Sequence, residues 1–149
     1  MKDDLPLSVT LEVRDRCLCL HLQRAARAIG RVFDDALKPF GLTNGQFSLL
    51  MSLNRPEAPS IGEVARFLAM DRTTLTAALK PLERRGLAVS TPDPKDARIR
   101  RLSLSHDGRA LLAQATPTWR ETHDRVDGLL ALDPEALKAD LKSLAFRSE

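Results

Sequence analysis

A chain of 149 residues is one domain by size and long enough for a modest hydrophobic core. Its net charge of +3 permits nucleic acid as a partner, while 4% aromatic content and the absence of Tyr argue against single-strand or RNA recognition by base stacking. No apolar run approaches the roughly 20 residues that span a bilayer, and the start M-K-D-D-L-P lacks the apolar core of a signal peptide, so a cytoplasmic location without a membrane partner is expected.

The first element is a long helix, reaching from about residue 8 to 40, with Leu18, Leu22, Ala25, Ile29, Val32 and Ala36 forming an apolar stripe. One small core does not need a helix of that length, so it calls for a partner surface. Its two cysteines, Cys17 and Cys19, point to different faces if both are helical, which argues against a bond between them within one chain. Cys19 is in register with Leu22, Ala26, Ile29 and Phe33, where a buried thiol acts as a small apolar filler. Cys17 lies nearer His21 and Arg24, where a cation lowers a thiol pKa. A C-x-C pair with His21 and no second cluster lacks a four-ligand set, so no metal is expected.

Thr43 and Gln46 form a capping box that starts the next helix, Leu42 staples onto Phe47 across it, and Phe47, Leu50 and Met51 face the core. A second capping box, Ser60 with Glu63, opens a short helix through Val64 and Leu68. Ala69 and Met70 alone separate it from Asp71, an N-cap residue that starts a fourth helix with Leu75, Leu79 and Leu82 on one face and Gly86 at its end. That spacing is a helix-turn-helix, whose second helix offers Arg72, Thr73, Thr74 and Thr76 to a major groove and carries Lys80 a turn later. Arg chelates guanine O6 and N7, and Thr reaches phosphates, base edges or thymine methyls. Pro81 removes one N–H and should bend this helix.

Leu87 to Thr91 is β-prone, Pro92 to Ala97 is turn-forming, and Arg98 to Leu104 returns with Leu102 and Leu104 inward, a hairpin wing. Lys95, Arg98, Arg100 and Arg101 outnumber Asp93 and Asp96 by two. A basic hairpin beside a recognition helix reaches the adjacent minor groove, where narrow A·T-rich stretches attract Arg. Ser105 then caps a helix through Leu111, Ala115 and Trp119 towards Val126, kinked at Pro117. Asp133 and Pro134 open a last helix with Leu137, Leu141 and Leu144 on one face. These terminal helices exceed what the winged core can cover. Burying them against a second copy forms a two-fold homodimer that sets two recognition helices roughly one DNA turn apart. No Gly-rich phosphate loop, G-x-S-x-G, H-E-x-x-H or paired C-x-x-C cluster is present and the three histidines are scattered, so no enzyme and no cofactor is expected.

The run D-A-R-I-R-R-L-S-L-S-H-D-G, Asp96 to Gly108, resembles the wing signature of the MarR family of winged helix-turn-helix regulators. L-x-P-L-E-R-R-G-L, from Leu79 to Leu87, resembles that family's recognition-helix exit. The resemblance implies a mainly α fold with a small β-hairpin wing. Across residues 1–149 it implies a single domain, with dimerisation helices at about 8–40 and 105–149 and a DNA-binding lobe at about 43–104. It further implies a ligand-responsive repressor that binds a pseudo-palindromic duplex operator as a homodimer. Asp96 would hold the wing and Arg98 would enter the minor groove. Thr73, Thr74 and Thr76 match DNA-touching positions, and Arg72, at a variable position, would tune sequence preference. Lys80, Lys95 and Arg100 complete the expected DNA-contact set. Small aromatic or phenolic effectors in this family bind near the first helix, the Phe47 helix and the lobe. That makes His21, Arg24 and Arg27, with Phe47, the effector candidates. The surroundings of Cys19 also resemble the organic-hydroperoxide-sensing branch, with Cys19 eight residues before Arg27-Ala28. Phe33 and Asn44 stand there in place of that branch's tyrosines, which removes the hydrogen bonds that would hold a thiolate or sulfenate. A winged helix used only for protein contacts is the other alternative, and the basic wing speaks for DNA.

Overall fold

The computed structural model describes residues 5–145. Residues 1–4 and 146–149, the outermost ends of the expected span, lie outside the described residues. The elements run α1 (Leu7–Arg16), α2 (Leu18–Leu37), a 3-10 turn (Lys38–Phe40), α3 (Asn44–Ser52), α4 (Ile61–Phe67), α5 (Arg72–Arg84), β1 (Ala88–Pro92), β2 (Arg100–Leu104), α6 (His106–Asp127) and α7 (Pro134–Ala145). Among the described residues no helix is long and apolar enough to cross a membrane.

The expected single N-terminal helix is two. The chain breaks at Cys17, where ψ is 101° and the sulfur accepts the Leu20 N–H at 3.4 Å, so Cys17 caps α2 and does not sit within a helix. Opposed faces for the two thiols require an unbroken helix, so that expectation does not hold. No residue of α1 is buried. With no packing to hold α1 in register with α2, a one-residue break is stabilised by the sulfur cap and by His21 Nε2, 3.2 Å from the freed Asp15 carbonyl oxygen. The apolar-filler reading of the thiols is also corrected, since Cys19 is exposed and Cys17 half-buried in the chain.

The remaining boundaries follow local chemistry. Thr43, Ser60, Asp71 and Ser105 each accept the backbone N–H three residues on, and Thr43–Gln46 and Ser60–Glu63 close complete capping boxes. The exits of α4 and α5 use one device. At α4, Ala69 N–H bonds Arg66 O and Met70 N–H bonds Ala65 O; at α5, Gly86 N–H bonds Glu83 O and Leu87 N–H bonds Leu82 O. Each is a Schellman closure with its left-handed residue at φ 53° (Ala69) or 70° (Gly86). Pro81 and Pro117 lie inside α5 and α6, and neither ends its helix.

A single core joins α3, α4, α5, the base of the wing and α6. Leu50, Leu75, Leu82, Leu102 and Val64 are fully buried within it. Each such side chain contributes about 1.5–3 kcal/mol of apolar burial. Leu42 and Phe47, the expected staple, both belong to this core. The wing is antiparallel with Ala88 opposite Leu104, Ser90 opposite Leu102 and Pro92 opposite Arg100, which turns Leu102 and Leu104 inward. Its return strand also pairs with the approach to α4, where Leu102 N–H reaches Pro59 O at 2.8 Å and Arg101 bridges Ser60. That pairing fixes the wing against the N-terminus of the helix-turn-helix. Along the other side α2 packs on α6, with Phe33 and Leu37 its buried residues.

Candidate nucleic-acid interface

The recognition helix α5 buries Leu75, Leu79 and Leu82 and leaves Arg72, Thr73, Thr74, Thr76 and Lys80 exposed. Its first turn is organised around Asp71. One carboxylate oxygen accepts the Thr74 N–H at 2.8 Å and the other accepts the Thr74 hydroxyl at 2.7 Å. These bonds, the hydroxyl first, hold the Asp71 carboxyl below its usual range. Thr74 is therefore occupied as part of the cap, and Thr76 donates its hydroxyl to the Arg72 carbonyl at 2.8 Å. Thr73 is exposed.

Two carboxylates build the wing tip. Asp93 accepts Lys95 N–H at 2.8 Å and Asp96 N–H at 3.0 Å on one oxygen, and Arg101 Nε at 2.7 Å on the other. Asp96 accepts Arg98 N–H at 3.1 Å and a forked pair from the Arg98 guanidinium, Nε and Nη2, each at 2.9 Å. Arg101 holds the Asp93 carboxyl below the ordinary carboxylate range, Arg98 does the same for Asp96, and both guanidiniums are correspondingly raised. The two Arg have different surroundings. The Arg98 side chain is 90% exposed, while Arg101, at 32%, lies between Asp93 and Glu63, the latter 3.4 Å away. Arg98 stands out at the tip, and Arg101 fastens the wing to α4. Arg100 donates to Ser90 Oγ and Ser90 O, both at 3.0 Å, and Lys95 is exposed.

The structure brings these groups to one side of the molecule. Thr76, Lys80 and Arg100 line a cleft of about 510 Å³ between α5 and the wing. Arg72, Thr76, Arg98, Arg100 and Arg101 line a second, of about 400 Å³, between the start of α4 and the wing.

The other candidates lie elsewhere. His21, Arg24 and Arg27 share an open surface of α2 with Arg31, apart from Phe47. Phe47 is buried and stacks on Trp119 at 5.9 Å. Phe33 and His123 also face Trp119, at 6.5 and 5.0 Å. On the outer side of Phe47 and Trp119 a cavity of about 440 Å³ is walled by Met51, Phe67 and Leu68, with Asn54 and Arg55 at its polar edge. Arg55 lies over the Phe67 ring at 5.5 Å. Sequence reasoning passed over Arg55, Phe67, Trp119 and His123 as site residues. The signal that could have found them was the single Trp on a helix and a large exposed aromatic, Phe67, in a chain poor in them. Cys19 and Phe33 stand fourteen residues apart on α2, roughly 21 Å along a helix, so Phe33 does not flank the thiol within one chain. Among the described residues no group of three or more His, Cys, Asp or Glu could hold a metal ion.

The MarR family model matches residues 42–100, from the approach to α3 to the first residue of β2. Among curated relatives, the transcriptional activatory protein BadR of Rhodopseudomonas palustris is 31% identical over 102 residues, 66% of this chain and 58% of that protein. The chain thus spans less than two thirds of that relative's length. Among solved structures, the M. tuberculosis transcriptional regulator MosR in complex with DNA shares 36% identity over 87% of this chain and 94% of its own, at a TM-score of 0.80. The transcriptional repressor CouR bound to a 23-mer DNA duplex shares 32% identity over 99% and 100% of the two chains, at 0.74. All three of these proteins are transcriptional regulators. With its helix-turn-helix, its Asp-braced wing and these matches, the chain belongs to the MarR family.

Proposed function

We propose that this chain is a homodimeric transcription regulator that binds a pseudo-palindromic duplex and represses by occupying it. The observation that carries the reading is the recognition helix and the Asp96-braced Arg98 presented on one side of the molecule, with Arg98 90% exposed. Thr73, Thr76 and Lys80 contact the major groove from α5, and Arg98 reaches the minor groove. Lys95 and Arg100 add phosphate contacts. Its site of action is the cytoplasm, with the DNA, and its role is binding, not catalysis.

The dimer rests on surface that one chain leaves uncovered. Neither α1 nor α7 has a buried residue, and Leu7, Val13, Leu18, Val32, Leu132 and Leu144 are all more than 40% exposed. Exposed apolar side chains gathered on the terminal helices and their linker fit an interface. The terminal helices at about 8–40 and 105–149 would supply it, and residues 43–104 the DNA-binding lobe of a single functional unit.

Response to a small aromatic or phenolic effector is supported by the cavity beside Phe47 and Trp119, whose apolar walls and single Arg suit a flat ring bearing an anionic group. A bound ring would push on α3 and α6, which carry the lobe, and so bias the spacing of the two lobes.

Selection of a randomised duplex pool by the purified protein tests the reading. A palindromic consensus bound with one dimer per site is expected, with quenching of Trp119 fluorescence and release of DNA on adding aromatic carboxylates. Recovery of unenriched pool would overturn the DNA reading. Enrichment that no aromatic acid reverses would overturn the effector reading alone.

A further inference from the structure

Among the described residues, the cleft between the start of α4 and the wing contains one guanidinium that the fold leaves unused. Arg98 is forked onto Asp96, Arg100 is bonded to Ser90, and Arg101 is held by Asp93 and Glu63. Among the described residues the Arg72 guanidinium has no hydrogen-bond or ion-pair partner. Yet its place is defined. It lies against the first turn of α4 at Gly62, where an added Cβ would stand 2.7 Å from Nη2 and 3.3 Å from Cζ. A bare glycine is what lets the side chain lie across α4 towards the wing and line this cleft. Among the described residues Glu63 is the one carboxylate in the lining, and it already accepts the Ser60 N–H at 2.7 Å.

Resting on the DNA-binding reading, we infer that Arg72 clamps a backbone phosphate and does not read a base, and that Gly62 is the positioning residue that makes this possible. A strand leaving the minor groove under Arg98 must cross this cleft to enter the major groove under α5, and it presents its sugar-phosphate edge while doing so. A fork of N–H donors with no other partner matches phosphate oxygens bidentately. On this reading Arg72 does not set sequence preference, the opposite of the sequence-based expectation, and the experiment below decides between the two. Base reading falls to Thr73, Thr76 and Lys80, and Arg72 contributes affinity without discrimination.

The experiment compares the parent, Arg72→Ala, Gly62→Ala and the double variant on the selected duplex and on a scrambled one across a salt series. Gly62→Ala keeps the fold, because Ala favours a helix and the atom it meets is the far end of a flexible side chain. Arg72→Ala is expected to weaken binding to both duplexes by about ten-fold. The slope of log affinity against log salt should fall by about 0.9 for each phosphate no longer engaged, hence about 1.8 for two protomers. Gly62→Ala should reproduce that loss by evicting Arg72, and the double variant should be no weaker than either single one. One methylphosphonate per half-site, at the phosphate engaged, should weaken the parent and leave Arg72→Ala unchanged.

A consensus that changes in Arg72→Ala, or a Gly62→Ala protein that binds as the parent does, overturns the assignment while leaving the DNA reading intact. So does a duplex series in which no methylphosphonate is silent to Arg72→Ala. A parent that enriches no duplex overturns the DNA reading and the clamp with it.

Discussion

Gly108, the last residue of the wing signature, is required by a close approach of backbones. A Cβ there would stand 2.1 Å from the Leu87 carbonyl oxygen, the same oxygen that accepts the Ser105 N–H at 3.1 Å. Backbone on both sides leaves nothing flexible to yield. Gly108→Ala should therefore cost about 2–3 kcal/mol as overpacking, a fall in melting temperature of roughly 5–10 °C by calorimetry for a domain this size. A variant that melts with the parent would show that the α6 start can slide off Leu87. Ala69 presents the opposite case. It holds φ 53° in the Schellman closure of α4, a place that Gly86 fills at the exit of α5. Its Cβ is strained there, so Ala69→Gly should raise stability by about 0.5–1 kcal/mol, read as a higher denaturation midpoint at unchanged slope. A lower midpoint would mean that the unfolded-chain entropy of glycine outweighs the relief.

At the scale of elements, the wing is held by carboxylates whose charge is needed. Asp93 and Asp96 have folded pKa values below their unfolded ones, set chiefly by Arg101 and Arg98. The stability they confer is complete above the ordinary carboxylate range and is lost as pH falls through the lowered folded values, that is, below about 4. Denaturation of the parent between pH 6 and 3 should steepen at the acid end, and Asp93→Asn should start lower and lose less over the same interval. Equal acid sensitivity in the two would remove Asp93 from the account. At the tip, Arg98→Ala should weaken binding to specific and random duplexes alike and flatten the salt dependence, because a groove-directed charge releases counterions. Unchanged binding at moderate salt would displace Arg98 from the interface.

The caps of these elements were legible because they are local. Thr43, Ser60, Asp71 and Ser105 announce helix starts within four residues, and alternation of Leu102 and Leu104 places the wing's inner face. What stayed hidden depends on distant partners or on missing ones. The Arg101–Glu63 brace, the contacts of Phe33 with Trp119 and His123 and the pose of Arg72 on Gly62 all join separate elements. The break at Cys17 has no Pro or Gly to signal it. The apolar stripe from Leu18 to Ala36 lies wholly beyond the break, so its period held no sign of it.

For the whole molecule, the terminal helices raise a question of energy that one chain does not answer. α7 is twelve residues long with no buried residue, and it is tied to α6 by Lys138 reaching Asp127 at 3.3 Å, a half-exposed pair of little worth. An isolated helix of that length is marginal in water, so beyond the half-buried Pro134 and Leu137 its order is expected to come from packing against a second chain. Leu141 and Leu144, 37% and 44% exposed, lie on the face open to it. Replacing both with Lys leaves the core of α3 to α6 intact and places like charges opposite one another across a two-fold interface. Sedimentation of Leu141→Lys/Leu144→Lys should therefore give the single-chain mass, with near-parental helicity in the winged lobe. Two half-sites would then be bound independently, and affinity for the palindrome should fall by about 10²–10⁴ as the linkage between lobes disappears, while binding to one half-site stays as in the parent. A variant that remains a dimer would place the interface on α1 and α2 alone. One that is monomeric yet keeps full affinity for the palindrome would show that a single winged lobe carries the recognition.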